Sequence, residues 1–359
     1  MTHSAPLIRR AETRDAAALA ALFEDATHVP FASVAPHAGV AGWEKKLGEY
    51  ADLANLPLIA VVGDAVVGVL LLRGYAGYIR RKHGATIDLL AVRAHEQRKG
   101  VGRALVIAAL AACDGYLQVR RVDVNVHASG DALKAFYASF GFVEEGVKRA
   151  ALFDGGYLDA AILARVNERV MPASGAPLPV AKRSRKQSPV KVTIRPASVD
   201  DAEAFARAFS DRSTSNGTLQ HPYTATEIWR NRLAANVGTR QVVLAATVNG
   251  RVIGNAGVHP VSDHPRVKHV CSVGIGIAHA YQGRGVGRAL MTACIDFAER
   301  WANYGRIELT VHADNALAIK LYESLGFVRE GRLRDYSFRE GGYVDALIMA
   351  RVTDALVKS

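Results

Sequence analysis

The chain repeats itself, and the repeat is domain-sized. Gln97 to Leu105 recurs as Gln282 to Leu290 with seven identities in nine, at an offset of 185. At the same offset Val126 to Gly146 matches Val311 to Gly331 at ten of 21 positions, including the pairs His127/His312, Tyr137/Tyr322 and Phe142/Phe327. The offset then becomes 186, where Gly155 to Val166 matches Gly341 to Val352 at nine of 12 positions. Ile8-Arg9 pairs likewise with Ile194-Arg195. Solenoid units recur every 20–50 residues, whereas a whole domain takes about 100–200. The predicted layout is two copies of one fold, a domain over 1–166 and another over 192–359, joined by a linker over 167–191.

Composition supports the linker and narrows the setting. Between Asn167 and Lys191 stand Pro172, Ser174, Gly175, Pro177, Pro179, Ser184 and Ser188, too little apolar surface to order a segment by itself. Part of the formal charge of +11 also lies there, in Lys182, Arg183, Arg185, Lys186 and Lys191. The remaining excess is mild and suits a small anionic ligand as well as a polyanion, so the basic run is read as a solvated linker and no nucleic-acid partner is expected. The three cysteines, Cys113, Cys271 and Cys294, have no Cys-x-x-Cys spacing. They suggest neither a disulfide framework nor a metal site, and point to a reducing cytoplasm. No apolar run reaches the ~18 residues of a membrane span, and Met1 to Pro6 carries no signal-peptide core, so no membrane partner is expected.

Periodicity gives mixed α/β structure in each copy. In the second, Gln241 to Val248 reads as a strand, and Asn249-Gly250 turns it into a second strand over Val252 to Val258. Val273 to Ile277 is a third strand. Leu290, Ala293, Cys294, Phe297, Ala298 and Trp301 then recur at helical spacing as one buried stripe. Ile307 to Val311 alternates, with Glu308, Thr310 and His312 on the opposite face from Ile307, Leu309 and Val311. A short helix over Ala316 to Ser324 is stopped by Gly326.

Gln282 to Gly287 falls between strand and helix, where glycines let successive amides converge on an anion at the helix's positive end. A Walker A loop would need Gly-Lys-Ser/Thr, and Gly287-Arg288-Ala289 lacks it. A dinucleotide fingerprint belongs in the first βα unit of a parallel sheet, whereas this turn follows a hairpin and no Gly stands three residues after Gly287. A coenzyme A pyrophosphate cradle is the third reading.

The turn, together with Asn315, Tyr322 and Gly326-Phe327 about 35 residues on, closely resembles the GCN5-related N-acetyltransferase (GNAT) superfamily, over nearly all of 192–353 and more loosely over 7–166. Thr218 to Pro222, Trp229, Ile307 to Val311 and Glu340 to Asp345 resemble the bacterial branch that acetylates free amino acids and related small amines. The resemblance implies two tandem GNAT folds and acetyl-CoA as the acyl donor. It implies that Gln282, Gly283, Arg284, Gly285, Val286, Gly287 and Arg288 hold the pyrophosphate. Ile275, Gly276 and Ile277, on a bulged and splayed strand, would hold the pantetheine arm and polarise the thioester. Asn315 would help hold the coenzyme, and Tyr322 would give a proton to the leaving thiolate. An acceptor amine of pKa roughly 8–10 must lose a proton, and Glu308 is the candidate base, with His312 the alternative. Leu219, Gln220, Tyr223 and Trp229 are candidates for the acceptor pocket.

The first copy keeps the turn in Gln97, Arg98, Lys99, Gly100, Val101, Gly102 and Arg103, so coenzyme binding there is expected too. It departs where Asp314-Asn315-Ala316 becomes Ser129-Gly130-Asp131 and where Asp123 replaces Glu308; its acceptor loop, Phe31 to Trp43, lacks Thr-Leu-Gln. The second copy is therefore taken as the catalyst, acetylating a small-molecule primary amine. A peptide or protein N-acetyltransferase and a non-catalytic acyl-CoA sensor or scaffold are the alternatives, and a homo-oligomer is compatible with either.

Overall fold

The computed structural model describes residues 5–24, 39–75, 77–176, 188–236, 238, 240–262 and 264–357. The basic run Lys182 to Lys186, most of Phe31 to Trp43 and the tip of the expected linker lie outside the described residues. The chain forms two compact units, Met1–Glu145 with Ala161–Pro172, and Gly146–Ala160 with Ala173–Ser359. The units differ from the repeats in one respect. Residues 146–160, part of the first repeat by sequence, are counted with the second unit.

The first unit contains β1 (Leu7–Arg10), α1 (Ala16–Glu24), α2 (Val40–Gly48), β2 (Leu56–Val62), β3 (Ala65–Gly74), β4 (Gly84–Val92), α3 (Val101–Gly115), β5 (Arg121–His127) and α4 (Asp131–Ala138). Next come β6 (Val143–Phe153), which leaves the unit after Glu145, and β7 (Tyr157–Val166), which returns to it at Ala161. Its strands lie in the order β1-β2-β3-β4-β5-β7, antiparallel through β4 and parallel between β4 and β5. Leu19, Leu22, Trp43 and Tyr50 close one core cluster with Ile59, Val69 and Leu71.

The second unit contains β8 (Thr193–Pro196), α5 (Ala202–Phe209), α6 (Arg212–Ser215), α7 (Thr226–Ala234), β9 (Val242–Val248), β10 (Arg251–Pro260), β11 (Val270–Ile277), α8 (Val286–Asp296), β12 (Arg306–His312), α9 (Ala316–Glu323), β13 (Val328–Arg339) and β14 (Gly342–Val352). With residues 146–153 of β6 at one edge, the order is β6-β13-β14-β12-β11-β10-β9-β8. Asn249 (φ 50°) and Gly250 (φ 74°) both take positive φ between β9 and β10, the two-residue turn whose twist suits a hairpin. Leu290, Met291, Cys294 and Ala298 pack on Val273, Ile307, Leu309 and Val311 in one core. A buried Leu or Val is worth about 1.5–3 kcal/mol, so this stripe fixes the helix against the sheet.

Trp301 is the exception to the expected stripe, at 78% exposed. The last turn of the helix widens over Phe297–Trp301, where the Ala302 amide donates to the Phe297 carbonyl. A five-residue step does not keep the 3.6-residue period, and the indole is carried off the buried face.

Candidate active site

The site begins where two strands part. β11 runs beside β12 only from Val270/Arg306 to Ser272/Glu308, yet stays paired with β10 without a register shift from Cys271/Pro260 to Ile277/Gly254. The Ala278 amide donates to the Ile253 carbonyl. Alternation along an antiparallel pair then turns the amides and carbonyls of Val273, Ile275 and Ile277 away from β10, into the gap. Gln282 Nε2 donates to the Ile277 carbonyl at 2.9 Å, so this glutamine closes the turn. The strand is splayed as expected but carries no bulge on β10. A shift of that kind occurs in the first unit, where Leu71 faces Leu89, Leu72 faces Ile87, and Asp88 is the extra residue. Gly276 faces the other way, and a Cβ there would strike the Phe209 ring at 2.1 Å.

Gly283 (φ 71°) and Gly285 (φ 89°) bend the chain into α8. The first helical bond runs from the Ala289 amide to the Gly285 carbonyl, so the amides of Val286, Gly287 and Arg288 precede the ladder. A Cβ at Gly285 would meet nothing within 4 Å, leaving open space over those amides. The side chains of both neighbouring arginines have protein partners: Arg284 Nε donates to the Ser188 carbonyl at 3.1 Å, and Arg288 Nη2 to Ser324 Oγ at 2.7 Å. Val190 donates its amide to the Arg284 carbonyl, so this end of the expected linker is tied down.

The first unit repeats the turn with Arg98 (φ 63°) and Gly100 (φ 89°), and Gln97 Nε2 donates to the Val92 carbonyl at 3.0 Å. Arg103 Nη1 lies 3.4 Å from Ser139 Oγ, as Arg288 meets Ser324. Val101 is buried against the sheet, and Gly102 lies 3.6 Å, by an ideal Cβ, from Val92. Lys99 is 3.4 Å from Glu96, a carboxylate where the second unit has Tyr281. An acid at the mouth opposes an anion there.

Tyr322 sits on α9, 6% exposed, within the same core cluster as Val286 and beside Phe327 at 5.9 Å between ring centroids. Burial raises its phenol pKa, and among the described residues its hydroxyl has no hydrogen-bond partner. Leu321, its neighbour, would lie 3.0 Å from a Cβ on Gly287, which places this helix against the turn. Asn315 caps the helix: its Oδ1 accepts from the Ala318 amide at 3.2 Å, and its Nδ2 is directed towards Gly217. Gly130 provides no such cap in the first unit.

Glu308 is an ionised carboxylate, as a base must be, but one with a low proton affinity. Lys148 Nζ lies 3.1 Å from Oε1, and Arg306 Nη2 lies 3.0 Å from Oε2. Burial alone would raise the carboxyl pKa, but the two cations outweigh it and pull it down to about 2. A carboxylate so stabilised has little tendency to take a proton. Because its folded pKa lies below the ordinary ~4.3, Glu308 contributes stability that is complete above pH ~4.3 and lost as pH falls towards 2. Glu308→Gln should therefore flatten the acid limb of a stability–pH curve between about pH 4.5 and 2, read by urea unfolding. His312, on the same face, has Nε2 at 2.9 Å from Ser337 Oγ and is 4% exposed.

The acceptor candidates divide. Tyr223 is 86% exposed. Trp229 is buried, stacked on Phe209 at 4.9 Å and edge-on to Phe205, so it reaches the strand only through the Phe209 ring over Gly276. Leu219 and Gln220 are half-buried on the 216–224 loop, and Gln220 Oε1 accepts from Arg232 at 2.7 Å. The sequence reading missed Arg339. Buried at the end of β13, it bonds Asp314 and donates to the Asn216 carbonyl, tying that loop to the start of α9. Thr214 Oγ1, just before the loop, accepts from the His279 amide at 2.9 Å, tying the same end to the segment that leads into the glycine turn.

A mixed sheet that opens beside a glycine turn, twice in one chain, defines an acyl-CoA N-acyltransferase architecture. Comparison with known proteins agrees. A model described as the acetyltransferase (GNAT) domain matches residues 50–152, and one described as the acetyltransferase (GNAT) family matches 204–327. L-amino acid N-acetyltransferase AaaT of Escherichia coli (strain K12) is 40% identical over 162 residues, 45% of this chain and 98% of that protein. The [ribosomal protein bS18]-alanine N-acetyltransferase of the same organism is 37% identical over 117 residues, 33% of this chain and 75% of its own. A GCN5-related N-acetyltransferase structure from Kribbella flavida is 30% identical with a TM-score of 0.41, covering 45% of this chain and 97% of that one. The chain belongs to the GNAT acetyltransferase family and is an acetyl-CoA-dependent N-acetyltransferase with two such domains in tandem. Among the described residues no helix is long and apolar enough to cross a membrane.

Proposed function

We propose that the second unit transfers the acetyl group of acetyl-CoA to the primary amine of a free amino acid or a related small amine. The opening of β11 from β12 beside the open-faced turn at Gly285 carries the donor half of this reading. The 40% identity to an enzyme named for L-amino acids supports the acceptor half. Acetyl-CoA supplies an acetyl group already activated as a thioester.

The residues fit it. The amides of Val286, Gly287 and Arg288 would hold the pyrophosphate at the positive end of α8, with Arg284 and Arg288 adding charge. The backbone of Ile275 faces the gap and would align the pantetheine arm, while an amide there would polarise the carbonyl. Tyr322 keeps its proton throughout the working range because burial raises its pKa, and would deliver it from Oη to a departing thiolate of pKa about 8.5. Glu308, ionised and held by Lys148 and Arg306, does not take the amine's proton, which passes to solvent before attack. The rate on a small amine should thus rise with pH up to the amine's own pKa, with no alkaline loss from Tyr322 below pH ~10. A kcat/KM–pH profile with an acid limb fixed near pH 4, whatever the amine, would restore Glu308 as the base.

The test of the reading is thiol release from acetyl-CoA by the full chain with amino acids, polyamines, aminoglycosides and short peptides. Turnover confined to peptides would move the acceptor to a protein N-terminus, and coenzyme binding without turnover would favour the sensor. Gly285→Val tests the cradle. It places a β-branched residue at φ 89°, costing roughly 1–2 kcal/mol, and fills the space over the amides. KM for acetyl-CoA should rise about tenfold or more, equivalent to ~1.4 kcal/mol of lost binding. An unchanged KM would place the pyrophosphate elsewhere.

A further inference from the structure

We propose that Lys148, a residue of the first sequence repeat, is a positioning residue of the second unit's acceptor face, where it fixes Glu308 at the point at which β11 and β12 part. The proposal rests on the reading of that face given above. Its ground is the contact itself, made inside one compact unit because residues 146–160 are counted with 173–359.

Ser272/Glu308 is the last paired position of the two strands, and the next side chain on that face, Thr310, is exposed. Glu308 therefore stands at the apex of the opening. Each of its oxygens has one cation, Lys148 on Oε1 and Arg306 on Oε2, and the Lys148 and Glu308 side chains are only 18% and 13% exposed. Lys148 is not a loose surface arm, because the strand that carries it is anchored just beyond. The Arg149 amide donates to Glu330 Oε1 at 3.0 Å, and the Arg149 carbonyl accepts from Arg306 Nη1 at 2.6 Å. The Ala150 carbonyl lies 2.9 Å from His269 Nε2, and the Phe153 carbonyl accepts from Arg266 Nε at 3.1 Å.

The first repeat thus supplies part of the second unit's site whether or not its own glycine turn is used. Chemically, Lys148 keeps the apex close to neutral. Without it, one oxygen of Glu308 is free to bind the acceptor's ammonium as a salt bridge. That would hold the amine protonated, and so unreactive, to a higher pH. The other ionisable groups around Glu308 are Arg306 on its own strand, Glu330 on β13, Arg149 on β6, and His269 and Cys271 at the start of β11. Lys148→Met leaves all of them in place.

The test compares wild type, Lys148→Met, Lys148→Arg and Glu308→Gln in the full chain, with the best small amine of the panel. In Lys148→Met the midpoint of the kcat–pH profile should move up by about 1–2 pH units, with KM lowered as kcat falls. Lys148→Arg should restore the wild-type midpoint. In a Glu308→Gln background Lys148→Met should no longer move it. Carboxyl-¹³C NMR of glutamate-labelled chain reads the pair without turnover: Glu308 stays ionised wherever the wild type is folded and titrates inside that range in Lys148→Met. A flat midpoint, or a Glu308 signal indifferent to Lys148, overturns the proposal. If Lys148→Met does not fold, a Lys148→Arg midpoint raised by about one pH unit or more overturns it as well. An inactive wild type is a separate failure, that of the amine reading, and is seen before any variant is made.

Discussion

Arg306→Met should destabilise the second unit by about 3–5 kcal/mol, as removal of one partner from a buried ion pair does. The Arg306 side chain is fully buried. It holds Glu330 through both carboxylate oxygens at 2.7 and 2.9 Å, Glu308 at 3.0 Å and the Arg149 carbonyl at 2.6 Å. Glu330 is itself 2% exposed, so the substitution leaves a carboxylate out of water with less compensation. Glu330 and Glu308 keep their desolvation cost after the substitution, while the attraction that offsets it is withdrawn. For a unit of this size the loss corresponds to a fall in Tm of roughly 10 °C. Arg306→Lys should lie between, since an ammonium keeps the charge and loses the two-pronged geometry. Arg121 repeats the arrangement in the first unit, 2.7 Å from Glu145 with side chains 1% and 2% exposed, and Arg121→Met should cost a similar amount. Urea unfolding of the two variants checks both, and a change under about 1 kcal/mol in either would mean that water reaches the pair.

The arginine and glutamate of these clusters stand at matching positions of the two repeats, yet nothing in the sequence pairs them. What was legible was periodic or local. The repeat gave the two domains of the fold, Asn249-Gly250 marked its hairpin by the φ angles those residues tolerate, and Gln282 to Gly287 marked the turn by its missing Cβ atoms. Trp301 was misplaced because a widened helical turn leaves no mark in a 3.6-residue pattern. Tyr223 and Trp229 look alike as candidate pocket walls. Only the packing of Phe205 and Phe209 around the indole makes one a core residue and leaves the other in solvent. The proton affinity of Glu308 was hidden for a physical reason of another kind. Its state is set by Arg306, two positions before it, together with a lysine 160 positions earlier, in a segment that repeat boundaries assign to the other domain. Long-range electrostatics of that sort has no spacing rule.

Tyr322→Phe should lower kcat by about 10²–10⁴, the usual contribution of a positioned general acid, and leave KM for acetyl-CoA nearly unchanged. The hydroxyl is the only atom removed, and the ring goes on packing against Phe327 and the core around Val286. Stability should hardly move, because among the described residues the hydroxyl bonds to nothing that would be left unpaired. Tyr137, at the matching position of the first unit, is 2% exposed and has its pKa raised by burial in the same way. Chemistry at the tyrosine alone does not distinguish the copies. Their surroundings do: Glu96 faces Lys99 at the first unit's turn, and Gly130 stands where Asn315 caps the second unit's helix. Tyr137→Phe should therefore leave turnover of the same amine intact. Thiol release measured on the two variants decides which copy works. Loss in Tyr137→Phe alone would assign catalysis to the first unit, and equal partial losses would mean that both copies turn over the same amine.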